Sequence, residues 1–425
     1  MPPTVFSDEV AVVVDGVSTG AFLAPAFLAH GMRCVHVTTP GALAGPLGAT
    51  HSPGAYLDDI SYGGDLDALV RLLAPYRVTH VLAGVESGVE LASDLAAALD
   101  VVTRNDEKFG HARRDKAAML DRLSGAGLEV RDHLTARTEA EAVAWSETRD
   151  EWPVVVKPTG SAGTDGVRVC FDATEVASAA AAVLGTPNIF GGTNDVVLLE
   201  AFLAGQEYMV NAVSVDGRHR VTEVWHTAKR LHGGAMIYDF HEIIPPSSEI
   251  SQRISAYVRE VLDALGVRWG PSHTEVIVSG DGVQVVETAA RTHGSIDPSA
   301  TVRVYGSNQV LDTVRALTNP DAFWTSPPAG RDDDVSCSVL SFICPRDGVV
   351  VAQPDWDRVR SLRTFHAMRV RWSPTQERVR RTTDMFTSAG GVYLVGDRAD
   401  MRHDRELIRR WEAEDFYDGV VVAEA

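Results

Sequence analysis

Four cysteines in 425 residues (Cys34, Cys170, Cys337 and Cys344) are too few and too scattered for a disulfide framework, and no CxxC pair suggests a zinc knuckle. This usage fits a reduced compartment, so a cytoplasmic location is expected. Basic residues are also short: 39 Lys and Arg against 58 Asp and Glu leave a formal net charge of −19. Nucleic acid and anionic membranes need a basic face, so neither is an expected partner. No apolar run approaches the roughly 18 to 20 residues of a membrane span. The N-terminus lacks the basic region and long apolar core of a signal peptide. Two familiar nucleotide signatures are missing as well. The turn from Asp15 to Gly20 does not match GxGxxG, and no GxxxxGK[ST] occurs. Nor is there a Cys/His or Ser/His/Asp pattern for covalent catalysis.

What is present is a chain long enough for two or three domains. Residues 1–104 alternate strand and helix: strands at Val10–Val14, Cys34–Thr38 and Val78–Ala83, with helices up to about His30, over Asp65–Leu73 and over Leu91–Leu99. This alternation predicts a doubly wound parallel α/β domain. From 105 to 330 the pattern becomes α+β. Helices are expected over Arg114–Ala126, Glu139–Glu147, Glu175–Leu184 and Ile250–Leu265, and antiparallel strands over Val196–Glu200, Glu207–Val215 and Arg220–Trp225. Asn319–Asp334, with three prolines and a final Arg-Asp-Asp-Asp, reads as a linker. A β-rich subdomain over 331–425 closes the chain, with a helix near Asp404–Glu414.

Three stretches carry chemistry. In Ser272–Arg291 two strands, His273–Val278 and Val283–Glu287, flank the turn Ser279-Gly280-Asp281-Gly282. A three-residue loop centred on Asp281 would oppose Glu275 and Glu287 on one face, their Cβ atoms about 5 Å apart. Facing carboxylates repel unless a cation lies between them, and Mg²⁺ takes carboxylate and phosphate oxygens together. Two unrelated glutamates on a solvent-facing hairpin are the competing account. His273 shares the strand, and Arg291 follows as a fixed cation for phosphate or a developing anion. The second stretch is the strand Val154–Lys157 running into Pro158 and a Gly/Ser/Thr-rich loop through Gly166, which offers N–H groups and hydroxyls to phosphates. A bare glycine-rich hairpin tip is the alternative. The third, Glu200 to Glu207, could offer backbone to a purine edge and a carboxylate to ribose, or be a plain strand–turn–strand.

In this order, and with Lys116 ahead of them, the stretches resemble the ATP-grasp superfamily, in particular the branch of bacilysin-type L-amino-acid ligases. The likeness spans roughly residues 10 to 420, with its specific motifs between Lys116 and Gly294. It implies a mobile lid (about 130–200), a large antiparallel subdomain (about 201–330), and ATP with Mg²⁺ between them. Two ions are expected, and Mn²⁺ could substitute. It places Lys116 and Lys157 on the phosphates under the loop Ser161, Ala162, Gly163 and Thr164. Glu200 with the Phe202 and Leu203 backbone would meet adenine, and Glu207 ribose. Glu275 and Glu287 would bind metal, and Arg291 would act with Lys157 in catalysis. Glu86, His241, His273, His293, Gly294 and Ser295 would join Arg291 around the substrates, with His241 reading equally as a surface-loop histidine. Ala289 departs from the wider superfamily, where Asn is a further metal ligand, but suits the amino-acid ligase branch. The implied reaction joins a small-molecule carboxylate to an amine, both expected to be amino acids so that a dipeptide forms, through an acyl phosphate with release of ADP and phosphate, in a chain that could be a homodimer. An amide ligase for a non-amino-acid amine, a phosphotransferase and a non-catalytic nucleotide binder are the other readings.

Overall fold

In a computed structural model of the chain, residues 7–421 are described apart from 45–46, 162–165, 189–191, 233–234, 281, 295, 327–334, 373–377 and 386. The chain opens with β1 (Glu9–Val14), α1 (Leu23–Ala29), β2 (Arg33–Thr38), β3 (Asp59–Ser61), α2 (Leu66–Leu73), β4 (Arg77–Ala83) and α3 (Val89–Ala98). The strands pair in parallel in the order β3-β2-β1-β4. β1 is apolar from Val10 to Val14 because both faces of the sheet are covered there. Val10, Val12 and Val14 pack with Leu69, Leu73 and Leu95 of α2 and α3. Ala11 and Val13 face Leu23 and Phe27 of α1 on the other side.

Next come α4 (Lys116–Gly125), β5 (His133–Ala136), α5 (Glu139–Glu147), β6 (Val154–Pro158), β7 (Arg168–Cys170), α6 (Ala173–Val183) and β8 (Val197–Ala201). Asp115 caps α4 by accepting the Ala118 N–H, and Thr138 and Asp172 cap α5 and α6 in the same way. The four strands form an antiparallel sheet in the order β5-β8-β6-β7. Val154, Val156 and Leu199 bury against Ala142 of α5 and Val176 and Ala180 of α6.

The remainder is built on one sheet. Its elements are β9 (Gln206–Val215), β10 (Arg218–His232), β11 (Ala235–Ile243), α7 (Glu249–Ala264), β12 (Gly270–Ser279), β13 (Gly282–Ala289), α8 (Pro298–Tyr305), α9 (Gln309–Thr318) and α10 (Pro320–Thr325), followed by β14 (Val335–Ser341), β15 (Gly348–Val350), α11 (Trp356–Arg360), β16 (Phe365–Val370), β17 (Arg378–Val379), β18 (Gly390–Asp397), α12 (Arg398–Ala413) and β19 (Val420–Val421). Eight strands run β13-β12-β9-β10-β11-β14-β18-β16, so β14, β18 and β16 of the C-terminal region extend the sheet that carries the hairpin. A three-stranded sheet, β17-β15-β19, stands apart. The apolar stripe of α7 (Ile254, Val258, Val261, Leu262) buries with Leu120 and Leu123 of α4, and α9 sends Val310, Val314 and Leu317 back to the second face of the N-terminal sheet.

Several expectations need correction. β10 runs far beyond Arg220–Trp225, and β11, which was not anticipated, puts His241 on a strand rather than in a surface loop. The stretch read as a linker contains α10, with 327–334 outside the described residues, and the terminal helix starts at Arg398. The hairpin does pair Glu275 with Glu287, but not by the predicted route. Ser279 pairs with Gly282, so the connection is one residue shorter than assumed. The register then shifts by one between Glu275 and Val276, where Val286 is the extra residue of a bulge. The two deviations cancel at the glutamates.

Candidate active site

The C-terminal ends of β1 and β4 meet the end of the hairpin. Ala83 bridges to Arg291, and Thr292 Oγ1 donates to the Gly84 carbonyl oxygen at 3.2 Å. A Cβ on Gly20 would lie 2.4 Å from the Gly84 Cα, and one on Gly84 would lie 2.4 Å from the Asp15 carbonyl oxygen. The two loops therefore pack backbone to backbone, and only glycine permits it. This contact delivers Glu86 to Arg291, whose Nε donates to Glu86 Oε2 at 2.6 Å. Glu86 thus neutralises Arg291. Arg114 stands 3.9 Å from its other oxygen.

Beside Arg291, Glu275 and Glu287 sit side by side and largely buried. Burial and then the neighbouring Glu287 push the Glu275 carboxyl up to about 7. Burial acts on Glu287 too, but Lys116 outweighs it and holds that carboxyl down at about 2. Lys116 Nζ lies 2.7 Å from Glu287 Oε2 and donates to the Ser161 carbonyl oxygen at 2.7 Å, tying the hairpin to the start of the glycine-rich loop. A carboxylate pair that can hold its full charge only beside cations has the donor chemistry of a Mg²⁺ site. Ala162, Gly163 and Thr164 lie outside the described residues, as does Ser295, while Gly294 borders the same cleft.

Three further ion pairs involve Glu200 and Glu207. Lys157 Nζ lies 2.6 Å from Glu200 Oε1, and Arg131, which the sequence reading missed, lies 2.6 Å from Glu200 Oε2. Both oxygens of the Glu200 carboxylate are therefore taken up by these two cations. Lys229, left open from sequence, pairs with Glu207 Oε2 at 2.6 Å. The other oxygen, Glu207 Oε1, is buried with no hydrogen-bond partner among the described residues. An orphaned buried acceptor of this kind suits a ribose hydroxyl.

The histidines form a separate neutral cluster. Asn211 accepts from His273 Nδ1 at 2.9 Å, and its amide nitrogen meets Glu223 Oε2 at 2.6 Å and His293 Nδ1 at 3.2 Å. The rings of His273 and His293 stack at 4.3 Å. Burial pushes both His273 and His241 down to about 3. All three histidines line a cleft of about 940 Å³, open mouth included, that also takes in Glu275, Glu287 and Arg291. Its other wall comes from Tyr238, Tyr393, Arg369 and Arg371, which no sequence motif marked.

The comparisons agree with this geometry. Residues 150–298 match the family described as "ATP-grasp domain". Dapdiamide A synthase of Enterobacter agglomerans is 29% identical over 429 residues, covering 97% of this chain and 98% of that protein. Among solved structures, an L-amino acid ligase from Bacillus licheniformis superposes with a TM-score of 0.75 at 15% identity, over 99% of this chain and 100% of its own. N5-carboxyaminoimidazole synthase from Aspergillus clavatus, crystallised with ADP, superposes with a TM-score of 0.68 at 13% identity, over 95% and 99%. The matched stretch spans Lys157, Glu200, Glu207 and the paired glutamates, so residues 150–298 of this chain are an ATP-grasp domain, and the likeness to these proteins continues along nearly the whole chain.

Proposed function

We propose that the chain joins a small carboxylic acid to the amino group of an amino acid, consuming ATP and releasing ADP and phosphate. The observation that carries this reading is one cleft that brings together the Glu275/Glu287 pair, Arg291 and the histidines His241 and His273. The substrate carboxylate oxygen attacks the γ-phosphorus, and the bond to the ADP oxygen breaks to give an acyl phosphate. The neutral amine then attacks the acyl carbon, phosphate leaves, and the amine gives up one proton. Lys116 and Lys157 orient the phosphates, and Glu207 and the 202–203 backbone seat the nucleoside. Arg291, positioned by Glu86, balances negative charge on the carboxylate as it is phosphorylated. Mg²⁺ held by Glu275 and Glu287 would neutralise the polyphosphate, with two ions as the expected number. The buried histidines and Tyr238 help to exclude water from an intermediate that hydrolyses readily.

Phosphate release across a panel of acids and amines, with mass spectrometry of the products, tests the proposal. The expected product has the mass of acid plus amine less water, and ADP forms only when an acid is present. A stable phosphorylated acid would make the protein a phosphotransferase, and nucleotide binding with no turnover across the panel would make it a binding protein. Condensation with amines that are not amino acids, but not with amino acids, would leave the amide ligase standing and remove the amino-acid assignment.

A further inference from the structure

The lining of the cleft carries charge of both signs. The hairpin contributes two carboxylates, and the wall on and just beyond β16 contributes Arg369 and Arg371. Two residues apart on an extended segment, they point to the same side. Arg369 pairs with Gly391 of β18, and Arg371 continues the ladder by donating its N–H to the Ala389 carbonyl oxygen at 2.9 Å. Gly390 and Gly391, opposite this segment, place no side chain on the floor in front of it.

The two cations are unequally engaged. Arg371 donates a guanidinium N–H to the Met385 carbonyl oxygen. Asp384, a carboxylate close enough to act on Arg371, is already occupied, accepting the Thr387 N–H at 2.8 Å. Arg369 has no ion-pair or side-chain hydrogen-bond partner among the described residues. Half-buried like charges facing a shared cleft favour an anion between them, and guanidinium groups match a carboxylate in a planar, two-pronged fashion.

We propose that Arg369, supported by Arg371, binds a spectator carboxylate: one carried by a substrate but not consumed in the reaction. This rests on the ligase reading above and extends it from bond type to substrate class. The carboxylate has two chemical sources, the α-carboxylate of an amino acid serving as the amine or the second carboxylate of a dicarboxylic acyl donor. In either case its molecule bridges from the arginines to the reacting centre beside Arg291, His241 and Tyr393 lining the span.

The test compares wild-type enzyme with Arg369→Gln, Arg371→Gln and Arg369→Lys. One arm pairs L-valine with L-valinamide as amines, and the other pairs succinate with butyrate as acids. Phosphate release gives KM in both arms. Calorimetric binding of the same four probes to the protein with MgADP gives Kd independently of turnover. Wild type should favour the charged member of one pair by about tenfold or more, the scale of a lost charge-assisted hydrogen bond. Arg369→Gln should abolish that preference while the uncharged probe and ATP keep their constants, and Arg369→Lys should restore part of it. The pair that discriminates identifies the source of the carboxylate. An unchanged charged-to-uncharged ratio in Arg369→Gln, or no preference in wild type in either arm, overturns the proposal. If no panel member supports turnover, the ligase reading falls, and the calorimetric ratios still decide the carboxylate site.

Discussion

Lys157 is buried with its ammonium against Glu200, and the physical consequences of that placement are measurable. Burial disfavours the charged form and pushes the group down to about 8, although Glu200 pulls it up, while Arg131 and Lys116 press it further down. A phosphate-binding lysine must be charged to act. Below about pH 8 it is, and nucleotide affinity should be flat. As pH rises through that value, the free protein must take up a proton on binding, so Kd should climb by up to about tenfold per pH unit. Calorimetric titration of ADP from pH 7 to 9.5 reads the slope directly. In Lys157→Arg the guanidinium stays charged across the range, so the rise should vanish, and a rise that persists would place the titrating group elsewhere. The sequence indicated Lys157 through the Lys-Pro step and glycine-rich loop that follow it. Its partners come from elsewhere, Glu200 from β8 and Arg131 from the segment just before β5, so no spacing along the chain could predict the triad.

At the scale of elements, the contact between the β1 and β4 loops sets where Glu86 meets Arg291. Gly84→Ala would press a methyl group to within 2.4 Å of the Asp15 carbonyl oxygen, with backbone and not a flexible side chain in the way. The loops must separate, at a cost of about 1–3 kcal/mol typical of overpacking. The expected outcome is a lower unfolding midpoint and a raised KM for the acid substrate, with the Kd for ADP unchanged because the nucleotide elements lie on other strands. Equal losses in acid and nucleotide binding would mean that the substitution acts through global unfolding. The hairpin shows how far elements could be read from sequence. Counting outward from Asp281 paired Glu275 with Glu287, but the tighter connection and the Val286 bulge depend on packing that the count does not contain. β11 escaped notice because Asp239, His241 and Glu242 look like loop chemistry. Neighbouring strands on both sides supply the pairing that makes them strand residues.

At the scale of the molecule, the order of motifs pointed to the ATP-grasp domain that residues 150–298 match, yet which parts share a layer depended on long-range pairing. α9 covers a face of the N-terminal sheet, and β16 brings Arg369 and Arg371 to the same cleft as residues from β12 and β13. A net charge of −19 would repel a polyphosphate, so the local cations and a metal must overcome it at the cleft. Glu275 and Glu287 are the carboxylates placed to bring that metal, and ligand-linked stability tests this without requiring turnover. A ligand bound only by the folded state at a hundred times its Kd stabilises by about 2.7 kcal/mol. ADP should therefore raise the unfolding midpoint more with Mg²⁺ than with EDTA. In Glu287→Gln the Mg²⁺-dependent part should disappear while an EDTA baseline with ADP remains, because Lys157 and the nucleoside contacts are untouched and Lys116, released from its ion pair with Glu287, keeps its charge for the phosphates. Turnover should be lost in the same variant. If Glu287→Gln keeps the full Mg²⁺ increment, the metal is held by other residues, and the raised Glu275 carboxyl would then reflect burial beside a neighbour and not a vacant place for a cation.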